Sequence, residues 1–258
     1  MSTPNAALTY IGGATALIEI GGLRLLTDPT FDPEGSAFSP GPYTLTRTTT
    51  PALTADRLGP IDAVILSHDH HYDNLDNAGR ALLASAGKVF TTEAAAGRLG
   101  GNAVGLAPWQ EVTLPLPAGG SITLTATPCR HGPPQADRGP VIGALLQGDP
   151  ASTDGIYISG DTVWYEGVAE VARRARVRTA ILFLGAATVG AVGPFPLTFT
   201  AEGAVEAARA FGDAAIVPLH FEGWAHFTES RAEVDTTFAA AGLSSRLRWP
   251  ILGRAIPI

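Results

Sequence analysis

Cysteine is almost absent: Cys129 stands alone among 258 residues, so no intrachain disulfide framework exists and a reducing compartment is the simplest expectation. Charge is also sparse. Charged residues make up 16% of the chain and hydrophobic ones 45%, a balance that excludes disorder through poor hydrophobicity and predicts a chain that folds alone. The formal net charge of -7, with no basic stretch against it, argues against a partner recognised by phosphate neutralisation, so no nucleic acid is expected. No apolar run is long enough to span a bilayer; residues 180–187 fall far short, and no integral membrane segment is expected. The opening Met1-Ser2-Thr3-Pro4-Asn5 lacks a basic stretch followed by an apolar run, the usual secretory-leader pattern. Together these absences predict a cytoplasmic protein acting on a small molecule.

What is present alternates between strands and helices. Residues 8–11, 16–20 and 23–27, with a Gly21-Gly22 turn, read as a hairpin-like start closed by Asp28-Pro29. Residues 31–51 are dense in Pro, Gly, Ser and Thr and predict a long loop. Strands are expected at 63–66, 88–91, 111–114, 121–126, 155–159, 179–184 and 215–218, and helices at 78–86, 166–176 and 202–211. No repeat or linker interrupts this alternation, which predicts one α/β domain over residues 1–258.

Polar chemistry follows the strands. All six histidines fall in three short segments: His68, His70 and His71; His131; and His220 with His226. In a strand, residues two apart share a face, so His68 and His70 at a frayed strand end are expected to point at one ion. Imidazole suits zinc, iron, nickel or copper, and the carboxylates Asp73 and Asp161 widen the choice to manganese.

The run Ser67-His68-Asp69-His70-His71-Tyr72-Asp73-Asn74-Leu75-Asp76 resembles the H-x-H-x-D-H signature of the metallo-β-lactamase superfamily. His131, Gly160-Asp161-Thr162 and Pro218-Leu219-His220 follow in the order of that family. The opening, Tyr10-Ile11-Gly12-Gly13-Ala14-Thr15 and Leu26-Thr27-Asp28-Pro29, is similar to the branch containing ascorbate-6-phosphate lactonase and the phospholipase D that hydrolyses N-acyl-phosphatidylethanolamine. The resemblance implies a four-layer αββα sandwich and one or two divalent ions, zinc first, with manganese or iron as alternatives. It implies a first metal on His68, His70 and His131, and a second on Asp73 and His220 bridged by Asp161. A water or hydroxide between them would attack an ester, lactone or phosphodiester.

The chain departs from that pattern in three places: one extra residue separates His70 from Asp73, Asn74 stands where the family has a histidine, and Gly13 replaces another. His71 is a candidate replacement ligand. Asp28 is a candidate for orienting a ligand histidine, and Asp76 for capping the next helix. Asp73 and His226 are expected to act in catalysis, with Glu222, Trp224 and Phe227 nearby. Tyr72, Arg130, Trp164 and Tyr165 are candidate pocket groups, Arg130 for an anionic substrate. Two other functions compete: a di-iron oxidoreductase, and a non-catalytic metal or ligand sensor. The family resemblance also permits an oligomer.

Overall fold

A computed structural model of the chain describes residues 5–148 and 154–258. Met1–Pro4, on which the leader expectation largely rests, lie outside the described residues. In chain order the elements are β1 (Ala6–Gly12), β2 (Thr15–Ile20), β3 (Leu23–Thr27), β4 (Ala37–Phe38), β5 (Leu45–Thr46), β6 (Ala63–Ile65), α1 (Asn77–Leu82), β7 (Lys88–Thr92), α2 (Glu93–Leu99) and β8 (Ala103–Leu106). There follow β9 (Glu111–Pro115), β10 (Ser121–Pro128), β11 (Ile142–Gln147), β12 (Gly155–Ile158), α3 (Glu166–Arg174), β13 (Val177–Phe183), α4 (Ala201–Ala210), β14 (Ala215–Leu219), α5 (Arg231–Ala240) and β15 (Ala255–Pro257).

Two sheets result. One has seven strands in the order β15-β1-β2-β3-β6-β7-β8, the other six in the order β14-β13-β12-β11-β10-β9. Period-2 alternation sorts the side chains of each strand between two faces. Leu25, Ile65 and Phe90 of the first sheet meet Leu124, Ile156 and Ile181 of the second in one inner core. Their sequence neighbours Leu26, Val64 and Val89 face outward and pack near α1, with Leu83 just beyond it. On the far side Tyr157 and Leu182 pack under Val171 of α3, Val205 of α4 and Phe238 of α5. Helix, sheet, sheet and helix layers follow one another, as the family resemblance implied.

Register decides where the loops gather. β3, β6 and β7 run parallel, as do β12, β13 and β14, so their C-terminal ends share one edge of the sandwich. β10 pairs antiparallel with β11, setting Pro128 opposite Ile142 at that same edge. Ile142 N–H donates to the Ser67 carbonyl at 3.1 Å, and His220 N–H to the Gly13 carbonyl at 2.9 Å, stitching the two sheets together there.

Several expectations need correction. The loop at 31–51 carries the two-residue strands β4 and β5, paired Ala37 to Thr46 and Phe38 to Leu45. The helix expected at 78–86 ends at Leu82 and tightens into a 3-10 turn, Leu83–Ser85. α2, α5, β8, β11 and β15 were not read from the sequence; α2 and β8 are short and Gly-flanked, and β15 is a three-residue edge strand. No helix among the described residues is long and apolar enough to cross a membrane.

Gly79 locks α1 against the loop that carries Asp28. A Cβ at Gly79 would lie 1.8 Å from the Pro29 carbonyl oxygen, a backbone atom that cannot swing away. Gly79→Ala is therefore expected to destabilise the protein by about 1–3 kcal/mol or more, as overpacking does. Urea denaturation reads this, and an unchanged midpoint would contradict it.

Candidate metal centre

β6 stops at Ile65, and the chain passes through bends and turns from Ser67 to Leu75 before Asp76 caps α1. The expected strand alternation at His68 and His70 therefore fails, because side chains in turns do not alternate between two faces. It is His71 that meets His68: His68 Nε2 lies 2.8 Å from His71 Nδ1. His131 Nε2, brought in from the end of β10, lies 3.1 Å from the same nitrogen. His70 stays close, its ring centroid 4.6 Å from that of His68, but its Nε2 donates to the Arg138 carbonyl at 2.9 Å and only Nδ1 keeps a lone pair.

Hydrogen bonds behind the rings set their tautomers. Ser67 Oγ lies 2.6 Å from Asp28 Oδ2 and 2.9 Å from His68 Nδ1. With Asp28 ionised, the serine proton goes to the carboxylate, so His68 Nδ1–H donates to Oγ and Nε2 keeps its lone pair. His131 Nδ1–H donates to the Leu197 carbonyl at 2.8 Å, which leaves Nε2 in the same state. Two lone pairs thus converge on the His71 ring. Burial, reinforced by His131, pushes the His71 imidazole down to about 3, and burial with His71 and His131 pushes His68 well below the usual histidine range. The two separations at His71 Nδ1, 2.8 and 3.1 Å, are close to those between donors to one tetrahedral zinc, which at bond lengths of about 2.0–2.1 Å stand roughly 3.3 Å apart.

Beside this triad sits an anionic half. Asp73, Asp161 and His220 are fully or almost fully buried, His220 entering from the end of β14 at φ +53, a backbone region costly for a non-glycine. His220 Nδ1 lies 3.0 Å from Asp161 Oδ1, and Nε2 lies 3.4 Å from Asp73 Oδ2, neither in hydrogen-bonding geometry. Burial would depress the His220 imidazole, but Asp161 and Asp73 outweigh it and hold it up to about 10. Burial opposes ionisation of Asp73 as well, yet His226 and His220 hold its carboxyl well below the usual range. His226 Nε2 donates to Asp73 Oδ2 at 3.0 Å. His131 Nε2 lies 3.6 Å from Asp161 Oδ2, so Asp161 stands between the two halves.

Asn74, at the position of the expected histidine, holds carboxylates instead. Its Nδ2 donates to Asp28 Oδ2 at 3.0 Å and Asp161 Oδ1 at 3.1 Å. Asp28 is buried at φ +26 and also accepts from the Ser67 N–H at 2.6 Å. Burial raises its carboxyl to about 7 despite these donors. At Gly13, a Cβ would lie 3.1 Å from Trp224 Nε1: the indole fills the space a histidine would need.

A cavity of about 20 Å³, room for a single water, opens beside the cluster between His71, Asp73, His131 and His226 on one side and Tyr43, Leu45, Val189, Leu197 and Arg138 on the other. Other sequence candidates lie elsewhere. Arg130 stacks over Tyr165, 4.7 Å from guanidinium carbon to ring centroid, and does not line the cavity. Trp164 packs near the helices, Tyr72 stacks on Phe38 and Trp224 is buried with it, while Glu222 is exposed. Phe227 presses edge-on against His220 with ring centroids 4.8 Å apart. Cys129 donates to the Ser159 carbonyl at 3.0 Å, and burial pushes its thiol up. Sequence reasoning missed Ser67, Tyr43 and Arg138. Only Ser67 carried a signal, its adjacency to His68.

Comparison with known proteins agrees with this fold. Residues 23–221 match the model of the Beta-lactamase superfamily domain. Uncharacterized proteins of Mycobacterium tuberculosis and Mycobacterium bovis are 42% identical over 71 residues, 27% of this chain and only 18% of theirs. Among solved structures, an isothiocyanate hydrolase from Delia radicum gut bacteria superposes with a TM-score of 0.80 at 24% identity, covering 97% of this chain and 98% of that one. A possible metal-dependent hydrolase from Veillonella parvula gives 0.81 at 19% identity over the whole of both chains. A diiron β-hydroxylase from Streptomyces venezuelae gives 0.67 at 14% identity, covering all of this chain and 54% of that one. The family match takes in well over half of the sequence and the neighbours share its architecture: the chain has the metallo-β-lactamase fold and belongs to the beta-lactamase superfamily.

Proposed function

We propose that the chain is a metal-dependent hydrolase that cleaves an ester, lactone or phosphodiester, the chemistry of the branch its opening segment resembles. The observation that carries the reading is the convergence of His68 Nε2, His131 Nε2 and His71 Nδ1 beside a carboxylate pair that draws positive charge onto His220. His68, His71 and His131 would hold one divalent ion, His71 taking the place first expected of His70. Asp73 and His220 would hold a second, with Asp161 shared. Zinc suits the imidazole-rich half; manganese or iron suits the carboxylate half. Bound there, such ions lower the pKa of water and polarise a carbonyl or phosphoryl oxygen.

The chain's own groups supply the rest. Asp73 receives the His226 Nε2 proton, which leaves His226 Nδ1 as the ring nitrogen free to take a proton from attacking water and return it to the leaving oxygen. Asn74 keeps Asp161 turned toward the cluster by donating to it. Tyr43, Leu45, Val189 and Leu197 wall the cavity. A di-iron oxidoreductase is the second reading, favoured by the likeness to the diiron β-hydroxylase. Visible absorption and metal analysis of the purified protein separate the two.

Metal analysis with a panel of aryl esters, lactones and phosphodiesters tests the hydrolase. Chelation is expected to abolish hydrolysis and zinc or manganese to restore it; turnover untouched by chelation would refute the proposal. His68→Ala, His71→Ala and His131→Ala are each expected to lose most bound metal, whereas His70→Ala keeps it. A His70→Ala protein stripped of metal, beside a fully loaded His71→Ala, would return the ligand role to His70. Ser67→Ala frees the His68 ring and is expected to weaken metal affinity about 10–100-fold, the range for a ligand's hydrogen-bonding partner; unchanged affinity in a competition titration with a chelator speaks against that support.

The metal-free protein should also show a charge signature. His220 has a folded pKa of about 10 against 6.5 unfolded, so its stabilising proton is fully held below pH 6.5 and is lost as pH rises through 10. Urea stability of chelated protein is therefore expected to fall from pH 6.5 to 10, and bound divalent metal, replacing that proton's charge, to flatten the fall. A flat profile without metal would exclude the inferred charge demand.

A further inference from the structure

Asp69 sits between His68 and His70 with only 5% of its surface exposed. The chain on either side is anchored by backbone bonds: the Ser67 carbonyl accepts the Ile142 N–H at 3.1 Å, and the His71 carbonyl the Leu75 N–H at 3.0 Å. Among the described residues no backbone-to-backbone bond anchors His68, Asp69 or His70 themselves. Two helices reach this stretch with side chains instead. Arg98, in the last turn of α2, grips the Asp69 carboxylate, its Nε 3.1 Å from Oδ1 and 3.0 Å from Oδ2 and its Nη2 against Oδ1. Arg80 of α1 donates from Nη2 to the Asp69 carbonyl at 2.8 Å. α2 is a firm base for this grip. Thr92 Oγ1 caps it by accepting the Ala95 N–H at 3.1 Å, and it lies so close on β8 that a Cβ at Gly105 would meet Glu93 Cα at 2.7 Å.

A buried carboxylate is tolerated where it is paired, and a guanidinium fork is a strong match for it. Arg98 itself is half exposed, so it is the buried partner that makes the pair consequential. Without Arg98 the Asp69 charge is left uncompensated, and relief comes from swinging Asp69 toward water, which takes the backbone of the flanking histidines with it. We propose that Arg98 is a positioning residue: through Asp69 it holds the backbone that carries His68, His70 and His71, and so sets the affinity of the cluster for its ion from a helix outside the cluster. This rests on the metal-dependent reading given above. Arg80 supports the same peptide through its carbonyl.

Competition titration with a chelator and amide hydrogen exchange test the proposal. Arg98→Met is expected to weaken zinc affinity about tenfold or more, within the range for groups that orient metal ligands. Arg98→Lys, which keeps the charge without the fork, should lose less. Adding Asp69→Asn to Arg98→Met removes the stranded charge and is expected to recover part of the lost affinity, a rescue that follows only if Arg98 acts through Asp69. In metal-free protein the Asn74 and Leu75 amides, both bonded to the His71 carbonyl, should exchange about tenfold or more faster in Arg98→Met, while the Leu184 amide, bonded to the Leu219 carbonyl in the second sheet, keeps its wild-type rate. Unchanged affinity, no rescue by Asp69→Asn, or exchange that quickens equally at Leu184 each overturns the assignment. A wild type that takes up no zinc defeats the hydrolase reading instead, and the exchange rates still decide whether Arg98 holds the segment.

Discussion

Two buried carboxylates, Asp73 and Asp161, closing on one imidazole impose the constraint from which the rest of the molecule follows. Charges removed from water are tolerated only when paired or hydrogen-bonded, so this pocket has to contain positive charge. Without an added ion the protein answers the demand with a proton on His220 and with hydrogen bonds from the His226 ring and the Asn74 amide. Neighbouring His68 and His71 behave oppositely and stay neutral, as donors to a cation must. One pocket thus holds lone pairs and anions side by side, and a divalent ion is the simplest species that satisfies both.

The scaffold meets this constraint by geometry. Parallel strands in both sheets end at the same edge, and the chain beyond β3, β6, β10, β12 and β14 delivers Asp28, the His68 segment, His131, Asp161 and His220 to it. Backbone bonds from Ile142 to Ser67 and from His220 to Gly13 hold the sheets in register there. Positive φ at Asp28 and His220 marks residues bent into unfavourable conformations to reach the cluster. Departures from the family pattern are absorbed locally. Asn74 ties Asp28 to Asp161, and Trp224 occupies the space vacated at Gly13.

Much of the fold was legible because periodicity is local. The first hairpin, β6, β7, β12, β13 and the helices near residues 166 and 202 carry apolar runs or amphipathic spacing that burial enforces. Short elements such as α2, β8 and β15 escaped because their stability comes from neighbours already in place. The long loop hid β4 and β5 for the same reason: two-residue strands exist only through their partner.

By itself the sequence determined which chemistry was available: six histidines in three short segments, each just past an apolar strand, with Asp73 beside the first and Asp161 past a strand of its own. It also determined that Asp76 would cap a helix, since a cap needs only residues three apart. Tertiary structure alone decided that His71 joins His68 and His70 in one group, its Nδ1 2.8 Å from His68 Nε2, because the segment leaves the strand and twofold alternation ends. Only tertiary structure set Arg138 beside the cavity and Arg130 over Tyr165, because the His70 ring reaches across the chain to hold the Arg138 carbonyl and Tyr165 comes from a different segment.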